Sequence, residues 1–535
     1  MRLIGLGYEY YLVIDAGTTA IKVFAYDDSG KIIRKVANKV PVSSPEPGWV
    51  EQDPLLYWEK VSNSVKSICD ELGRPLAVGV TNQRATTVVW DKDDGEPLYN
   101  MITWQDTRAF DLAEELSKES LIRLGRLLGL VAEAFAKIVK RVAESRSVKY
   151  LITMAHFKFG SNQPVVHLRW LMDNVNEFAR AVRAGKAAFG TLDSWILWNM
   201  VGKHVIDFTN ASATGMFDPF HLSWSDRLIK MLGIPRGILP SEVDNMCYLG
   251  KSKAAFDAPV TAIIADQQAS LYSAGGTRRG AAKMTNGTGS FVDVNVGSEP
   301  VSAVGGTYPM IALKQGERVI YLVEGIAQAT GSAIDWLIDL GLIRGPAEAD
   351  ELARLAEDSF GVVFVPTLAG IGTPYWINKL RGCIYGLSRG TRREHLIRAL
   401  MEGLAFRLSE VIDVVEAVSG IHFDEILTDG NASRHDVLLQ LVADLSGKKV
   451  LRAKNLDGSS RGAYLLARGA IKGLSIDEAW RSPEVDSVFE PRADVSFSRE
   501  RWLDGLRSCV NYYESLRLLA VGDVALRGRC HERQG

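Results

Sequence analysis

A short apolar run leads into a polar turn in the stretch Tyr11-Leu12-Val13-Ile14-Asp15-Ala16-Gly17-Thr18-Thr19. Such a run is typical of a fully buried strand, and Gly17 lets the backbone reverse where a side chain would obstruct a ligand. A second strand is predicted from Ile21 to Tyr26, and turn residues at 27–30 precede a third. The pattern therefore indicates an α/β fold that begins with a strand-turn-strand unit.

The turn carries the chemistry of a phosphate site. Backbone amides, the hydroxyls of Thr18 and Thr19 and the ammonium of Lys22 can converge on a polyphosphate. Asp15 can hold the magnesium ion of that polyphosphate. An ordinary hairpin with an Asx turn is the alternative interpretation of this stretch.

Two more glycine turns lie in the second half of the chain. Gly287-Thr288-Gly289 stands in front of an alternating strand. Asp429-Gly430-Asn431-Ala432-Ser433 ends a strand and opens a predicted helix from Asp436 to Leu445. A strand, a glycine turn and a helix together suit the sugar and base of a nucleotide, or its phosphates.

Length and charge narrow the class of protein. The chain has 535 residues, 62 Lys and Arg against 64 Asp and Glu, and five scattered cysteines. The balanced charge gives no electrostatic case for nucleic acid or an anionic membrane, and no apolar run approaches the ~18 residues of a membrane span. Scattered, odd-numbered cysteines favour a reducing compartment. We expect a cytoplasmic enzyme of two or three domains.

Hydrogen-bonding side chains follow the strand predicted at 77–80. The first group, Thr81 to Thr87, stands at a strand end, where α/β sheets commonly place ligands. The second group, Trp104 to Arg108, combines an aromatic ring, an amide, a carboxylate and a guanidinium. This mixture suits a small polyhydroxylated molecule, and it equally suits a surface ion pair at the start of a helix.

A β-rich run ends in Asp266-Gln267-Gln268. An aspartate at a strand end near a phosphate turn can take the proton of an attacking hydroxyl, so Asp266 is the candidate general base. Alternatively, Asp266 caps the helix that follows.

The organisation of the chain is predicted from its pattern. Apolar residues at helical spacing, interspersed with basic ones, predict a helical excursion at about 121–160. Such a stretch can lie on a membrane or a partner, or can pack on its own domain. We place the two domains at 1–275 and 276–520, close the second with a helical segment from Phe497 to Ala520, and assign 521–535 to a polar tail.

Other motifs are weak. The sequence has neither a P-loop nor a dinucleotide fingerprint, and its histidines and cysteines form no metal-ligand pattern. A nucleophile elbow is matched by Gly386-Leu387-Ser388-Arg389-Gly390, which raises the possibility of a hydrolase. The surrounding arginines do not suit the hydrophobic strand that this motif requires.

Taken together, these pieces resemble the FGGY family of carbohydrate kinases, and within it the glycerol kinases, from about Tyr11 to the closing helix. The resemblance implies two ribonuclease-H-like, actin-like ATPase domains, with ATP and a polyol in the cleft between them. It implies magnesium- and ATP-dependent phosphorylation of a primary hydroxyl of glycerol, or of another small polyol or ketose. The resemblance also implies a homodimer, the usual assembly in the family. An actin-like assembly protein would share the phosphate turns but would not explain Arg84, Trp104 and Asp266 together.

The resemblance also implies roles for individual residues. Asp266 would be the general base and Asp15 the magnesium ligand. Contacts to the nucleotide or its phosphates would come from Thr18, Thr19, Lys22, Thr288, Gly331, Gly430 and Ala432. Contacts to the polyol would come from Arg84, Trp104, Asp266 and Gln267.

Departures from the family pattern concern the substrate. Ala85 stands where glycerol kinases carry a glutamate that accepts hydrogen bonds from glycerol, and losing such an acceptor costs on the order of 1–3 kcal/mol. The family's pocket tyrosine has no clear counterpart, since alignments offer Phe135 or Asn162. His167 and His435 also replace family residues. These changes weaken the glycerol assignment and leave room for a longer polyol.

Overall fold

The computed structural model describes residues 8–492 and 499–515, and the elements of the first half are as follows. The strands are β1 (Tyr11–Ala16), β2 (Ala20–Tyr26), β3 (Ile32–Lys39), β4 (Glu51–Gln52), β5 (Ala77–Asn82), β6 (Val88–Asp91), β7 (Met101–Ile102), β8 (Ala187–Gly190), β9 (Val205–Asp207), β10 (Phe217–Asp218), β11 (Ser223–Trp224), β12 (Ser241–Val243), β13 (Met246–Ser252) and β14 (Ala258–Ala265). The helices are α1 (Pro54–Leu72), α2 (Phe110–Leu116), α3 (Ser120–Ile138), α4 (Lys140–Ala143), α5 (Arg146–His156), α6 (Pro164–Asn174), α7 (Asn176–Arg183), α8 (Leu192–Val201), α9 (Phe208–Ser212), α10 (Asp226–Met231) and α11 (Asp266–Gly275).

The second half begins after residue 275. Its strands are β15 (Ala282–Asn286), β16 (Ser290–Gly297), β17 (Tyr308–Gln315), β18 (Arg318–Ala327), β19 (Val363–Val365), β20 (Cys383–Tyr385), β21 (Glu425–Asp429), β22 (Lys449–Ala453) and β23 (Val485–Phe489). Its helices are α12 (Gly331–Asp339), α13 (Pro346–Leu355), α14 (Arg393–Ser419), α15 (Asp436–Ser446), α16 (Gly458–Ile471) and α17 (Ile476–Ala479). Residues 499–515 are helical as predicted, whereas the predicted ends of that segment and the tail 521–535 lie outside the described residues.

Each half is built around one large sheet. The first sheet has six strands in the order β13-β14-β5-β1-β2-β3, and the second has seven in the order β17-β18-β16-β15-β21-β22-β23. In each sheet an antiparallel run is followed by parallel strands: β1 pairs with β2 and β5, as β15 pairs with β16 and β21. The halves therefore share the order and directions of six strands, and the second adds β17 at its edge. One edge strand is connected differently, because β13 precedes its neighbour β14 whereas β23 follows its neighbour β22.

The parallel strands explain why polar residues gather at one edge of the first sheet. Strands β14, β5 and β1 run in the same direction, so their carboxyl ends meet. Asp15 lies at the end of β1, the segment 81–87 follows from the end of β5, and Asp266 comes directly after β14.

Helix α16 belongs to the second half of the chain but packs on the first sheet. The rings of Tyr26 and Tyr464 stack with centroids 4.7 Å apart. A Cβ added to Gly79 would lie 2.8 Å from the carbonyl oxygen of Ala463, so strand and helix backbones approach closely. The sheet layer of the first half is thus completed by the second, and the division at 275 remains a prediction.

The helical excursion is present and contacts both halves. Helix α5 packs Tyr150 against Phe220 of the first half, with ring centroids 5.8 Å apart. Its Arg146 binds Glu299 of the second half, with a nitrogen-to-oxygen distance of 2.9 Å. Among the described residues, no helix combines the length and the apolar character that crossing a membrane requires.

The close approach of α16 gives a stability prediction. A Cβ on Gly462 would lie 2.0 Å from the carbonyl oxygen of Ala269, in backbone that cannot rotate away. We expect Gly462→Ala to destabilise the protein by about 1–3 kcal/mol, which exceeds the helix propensity that alanine adds. Gly237→Ala is the control, because nothing lies within 4 Å of its added Cβ. Thermal unfolding measures both, and equal unfolding temperatures would contradict the prediction.

Candidate active site

A cavity of about 810 Å³ is lined by residues of both halves. It collects most of the residues singled out in the sequence, namely Asp15, Thr19, Lys22, Asp266, Gln267, Thr288, Gly331, Gly430 and Ala432. Three others, Thr18, Arg84 and Trp104, are not among the lining residues. The three glycine turns therefore converge on one space.

Asp15 and Lys22 face each other across the first strand pair. They are directly opposed in the register of β1 and β2. Burial raises the pKa of Asp15 to about 6, with Lys22 opposing the rise and the charges of Asp457 and Asp266 adding to it. The ammonium of Lys22 lies 2.8 Å from a carboxylate oxygen of Asp457, and Ser459 donates a hydrogen bond of 3.1 Å to Asp15. Lys35 also binds Asp457, at 2.6 Å, so Lys22 and Lys35 partly neutralise the carboxylates around Asp15.

Asp266 lies in the first turn of α11, directly after Ala265 at the N-cap position. Its carboxylate accepts a 2.8 Å hydrogen bond from the backbone N–H of Gln267 and lies 3.6 Å from Nε of Arg84. Burial raises its pKa, and Arg84 is the strongest influence opposing the rise. The side chain is 28% exposed. Asp266 is therefore a solvent-accessible carboxylate that binds a proton more tightly than an ordinary aspartate does.

The glycines of the second half let backbone segments meet closely. Gly430 has φ of +83°, and a Cβ there would lie 2.4 Å from the carbonyl oxygen of Asn286. Gly331 donates its N–H to the carbonyl oxygen of Gly287 at 3.0 Å, and its added Cβ would lie 2.5 Å from that oxygen. Side chains at either position would separate the turns.

A buried cation missed in the sequence joins two sides of the site. Lys283 on β15 is 1% exposed and pairs with Asp293 at 2.7 Å. It also donates to the side-chain oxygen of Gln267 at 2.5 Å and to the hydroxyl of Thr285 at 2.9 Å. Thr285 in turn donates to Asp429 at 2.5 Å. The signal in the sequence that could have found it is a lysine between Ala282 and Met284, shortly before the glycine turn at 287–289.

Arg84 reaches across to the second sheet, which the sequence did not indicate. Its guanidinium lies 2.6 Å from Glu324 on β18, and its centre is 5.4 Å from the ring centroid of Phe291. Burial raises the pKa of Glu324 to about 8, against the opposing charge of Arg84. Tyr308 stands opposite Glu324 in the strand register.

Trp104 and Thr18 lie together beside the cavity. The indole N–H of Trp104 donates to the hydroxyl of Thr18 at 3.0 Å, and that hydroxyl donates to Gln83. The neighbouring Arg108 and Asp106 form a fully buried ion pair at 2.8 Å. Because both side chains are buried, Asp106 and Arg108 form an internal ion pair. They form neither an ion pair on the surface nor an accessible surface for a polyol.

Of the remaining sequence candidates, His435 lines the cavity, and the others lie outside this arrangement. His167 is buried, and burial lowers its pKa to about 4, so the imidazole is neutral near pH 7. Ala85 adopts a left-handed backbone conformation with φ of +57° beside Arg84. Phe135 is 53% exposed on α3 and does not line the cavity. Within the described residues, Ser388 shares hydrogen bonds with Thr391 and Gly390 and not with a histidine.

Comparison with known proteins defines the class. Residues 10–140 and 132–272 match the N-terminal domain, and residues 282–471 the C-terminal domain, of the FGGY family of carbohydrate kinases. An uncharacterized sugar kinase from Archaeoglobus fulgidus is 36% identical over 490 residues, covering 92% of this chain and 97% of that protein. A glycerol kinase from Paraburkholderia phytofirmans is 33% identical over 515 residues, covering 94% and 98%.

The fold agrees with these matches. The crystal structure of Plasmodium falciparum glycerol kinase with ADP is similar with a TM-score of 0.80 at 28% identity, covering 94% of this chain and 98% of that one. The expected α/β architecture of two actin-like ATPase domains is confirmed. The protein is a carbohydrate kinase, a phosphotransferase that acts on an alcohol group. It belongs to the FGGY family, and this membership implies ATP as the phosphoryl donor.

The buried pair at Lys283 gives a prediction about stability. Lys283→Met leaves Asp293 charged and unpaired in the interior, which we expect to cost about 3–5 kcal/mol. The double variant Lys283→Met/Asp293→Leu removes both charges and should recover most of that loss. The apparent unfolding temperature measures both variants.

The control for this prediction is an exposed pair. Lys454 and Glu484 lie 2.6 Å apart with side chains 68% and 75% exposed, so Lys454→Met should leave the unfolding temperature unchanged. A double variant no more stable than Lys283→Met alone would show that the charge pair does not explain the effect.

Proposed function

We propose that this kinase phosphorylates a primary hydroxyl of glycerol, or of a closely related small polyol, with ATP and magnesium. The observation that carries the proposal is that Asp266 and the three glycine turns line one cavity. The similarity to glycerol kinases over more than nine-tenths of the chain supports the choice of substrate.

In the proposed reaction, the carboxylate of Asp266 takes the proton of the polyol hydroxyl. The hydroxyl oxygen forms a bond to the γ-phosphorus of ATP, while the bond from that phosphorus to the β–γ bridging oxygen breaks. The products are the phosphate ester and ADP, and Asp266 returns its proton to solvent. Because burial raises its pKa, Asp266 accepts this proton more readily than an exposed aspartate would.

The nucleotide is proposed to lie along the converging turns. Thr19, Lys22 and Thr288 would bind its phosphates, and Gly331, Gly430 and Ala432 would lie along the rest of it. For Thr18 we propose that the backbone amide serves the phosphates, because its hydroxyl is engaged by Gln83 and Trp104.

Asp15 suits a magnesium ion. Magnesium is usually bound through one or two carboxylates together with substrate phosphates and water. Burial raises the pKa of Asp15, and a bound cation would favour its ionised form. Within the described residues, no group of three or more His, Cys, Asp or Glu is placed to hold a metal ion. When bound, the ion would neutralise charge on the transferred phosphoryl group.

The polyol is proposed to bind beside Asp266, in contact with Arg84, Trp104 and Gln267. Glu324, which lies 2.6 Å from the guanidinium of Arg84, would then supply a carboxyl oxygen as the hydrogen-bond acceptor that Ala85 lacks. The second candidate function is phosphorylation of a larger polyol or a ketose. The observation favouring it is Ala85, whose small side chain leaves more room than the family's glutamate.

The role of Asp266 can be tested by Asp266→Asn. We expect turnover to be abolished, because the amide cannot take the proton, while nucleotide binding stays largely intact. Asp339→Asn makes the same change outside the cavity and should retain turnover. Steady-state kinetics and ADP titration measure the two properties.

The pH profile gives a second readout of the same role. Since burial raises the pKa of Asp266, kcat/KM should fall with decreasing pH at a pH above the ordinary aspartate value of 3.8.

Retained turnover in Asp266→Asn would exclude Asp266 as the base.

The proposed substrate is tested by ATP-to-ADP turnover with magnesium on glycerol, erythritol, xylulose, ribulose and inositol, with a control lacking acceptor. We expect the highest kcat/KM with glycerol, because Glu324 and Arg84 compensate for Ala85. Preference for a larger polyol or ketose would establish the second candidate. Both candidate functions would be contradicted if polymerisation of the protein stimulated ATP hydrolysis and none of the acceptors did.

A further inference from the structure

Helix α3 has two apolar faces, and the first is used within the chain. Ile122, Gly129 and Ala136, spaced seven residues apart, are buried. A Cβ on Gly129 would lie 2.1 Å from the carbonyl oxygen of Leu151, so α3 and α5 are in backbone contact there. This face is fully occupied by α5.

The second face is open to solvent, and we call it the α3 seam. Its members recur with alternating spacings of three and four residues, and they are Leu121, Leu124, Leu128, Val131, Phe135 and Ile138. Their exposed fractions run from 40% to 81%. Alternation of three and four is the a/d pattern by which one helix packs against another in a coiled coil.

The exposed apolar area of the α3 seam is large enough to form a protein interface. Six large apolar side chains at these exposures present on the order of 600 Å², more than an isolated surface patch usually offers and close to one side of a standard protein interface. The positions that flank the seam are Gly125 and Ala132 on one side and Leu127 and Ala134 on the other. All four are uncharged, so a second apolar helix meets no repulsion.

We propose that the α3 seam pairs with the α3 seam of a second copy of this chain, antiparallel across a two-fold axis. In that arrangement Leu121 faces Ile138, Leu124 faces Phe135 and Leu128 faces Val131, each pair occurring twice. A two-fold interface requires such a self-complementary surface. The six seam positions are symmetric about the midpoint of the helix, which satisfies this requirement.

Charge at the two ends of α3 favours the antiparallel direction. Glu114, Glu115 and Glu119 are exposed near its beginning, where Lys118 and Arg123 also lie. Lys137 and Arg141 are exposed near its end, where Lys137 pairs with Glu133 at 3.0 Å. An antiparallel pair places each acidic end beside a basic end, whereas a parallel pair places like ends together. The opposed helix dipoles add to the preference.

A protein partner fits this face better than an anionic membrane does. Several cations of the excursion are already held within the chain: Arg126 by the carbonyl oxygen of Phe157 at 3.1 Å, Lys149 by Glu144 at 3.4 Å and Arg146 by Glu299. A helix that lies on anionic lipid leaves its cations free for the headgroups.

The full-length protein tests the proposal by sedimentation velocity at micromolar concentration. We expect twice the chain mass of 58.8 kDa. Leu128→Glu/Val131→Glu should give the monomer, raising the dissociation constant by more than about 100-fold, because it buries unpaired charges at the centre of the interface. Leu130→Glu is the matched control, since Leu130 is 52% exposed on the same helix but lies off the seam. Both variants should keep wild-type turnover, and only Leu128→Glu/Val131→Glu should lose the part of the unfolding temperature that association contributes.

The antiparallel direction is tested by cross-linking. Leu121→Cys/Ile138→Cys should form a disulfide-linked dimer on oxidation, and Leu121→Cys alone should not. Linkage by the single variant at the same yield would overturn the antiparallel arrangement. A wild-type monomer would overturn the pairing, as would a dimer that survives Leu128→Glu/Val131→Glu. Co-sedimentation of a wild-type monomer with phosphatidylserine vesicles, lost in that variant, would assign the seam to membrane lipid instead.

Discussion

The packing of α16 on the sheet of the opposite half is the contact on which the cavity depends. Helix α16 meets α11 where Gly462 lies against the backbone of Ala269. This contact brings residues 457–459 to the end of β1. Asp457 reaches Lys22 from there, and Ser459 reaches Asp15. If α16 moved away from the sheet, the first phosphate turn would lose the partners that orient its charged residues.

The electrostatics of the site follow from that packing. Burial raises the pKa of Asp15, of Asp266 and of Asp429. In each case a different cation opposes the rise: Lys22 for Asp15, Arg84 for Asp266 and Lys283 for Asp429. Burying a charged group is costly unless it is paired, so the fold tolerates these groups because cations and hydroxyls surround them. Cations that enter with the substrate would stabilise the ionised carboxylates further. Binding and stability are therefore linked in this cavity.

Local parts of the site could be predicted from the sequence because their signals are local. The strand-turn-strand unit at 11–26, the turn at 287–289 and the aspartate after β14 each lie within one short stretch. Glu324 could not be predicted as a partner of Arg84, because 240 residues separate them and only the meeting of two sheets joins them. The pair of Asp106 and Arg108 was misjudged for a related reason. Its burial comes from Trp49, whose ring centroid lies 3.9 Å from the guanidinium.

The helical excursion contacts both halves, through ring packing in the first and polar contacts in the second. The bridge from Arg146 to Glu299 is an ion pair whose side chains are 46% and 59% exposed, and pairs of this kind contribute little to stability. By contrast, α3 and α5 are joined through the backbone contact at Gly129. The excursion is therefore a closely packed pair of helices that meets the second half through an exposed ion pair and through a hydrogen bond from the backbone N–H of Ala303 to the hydroxyl of Thr153.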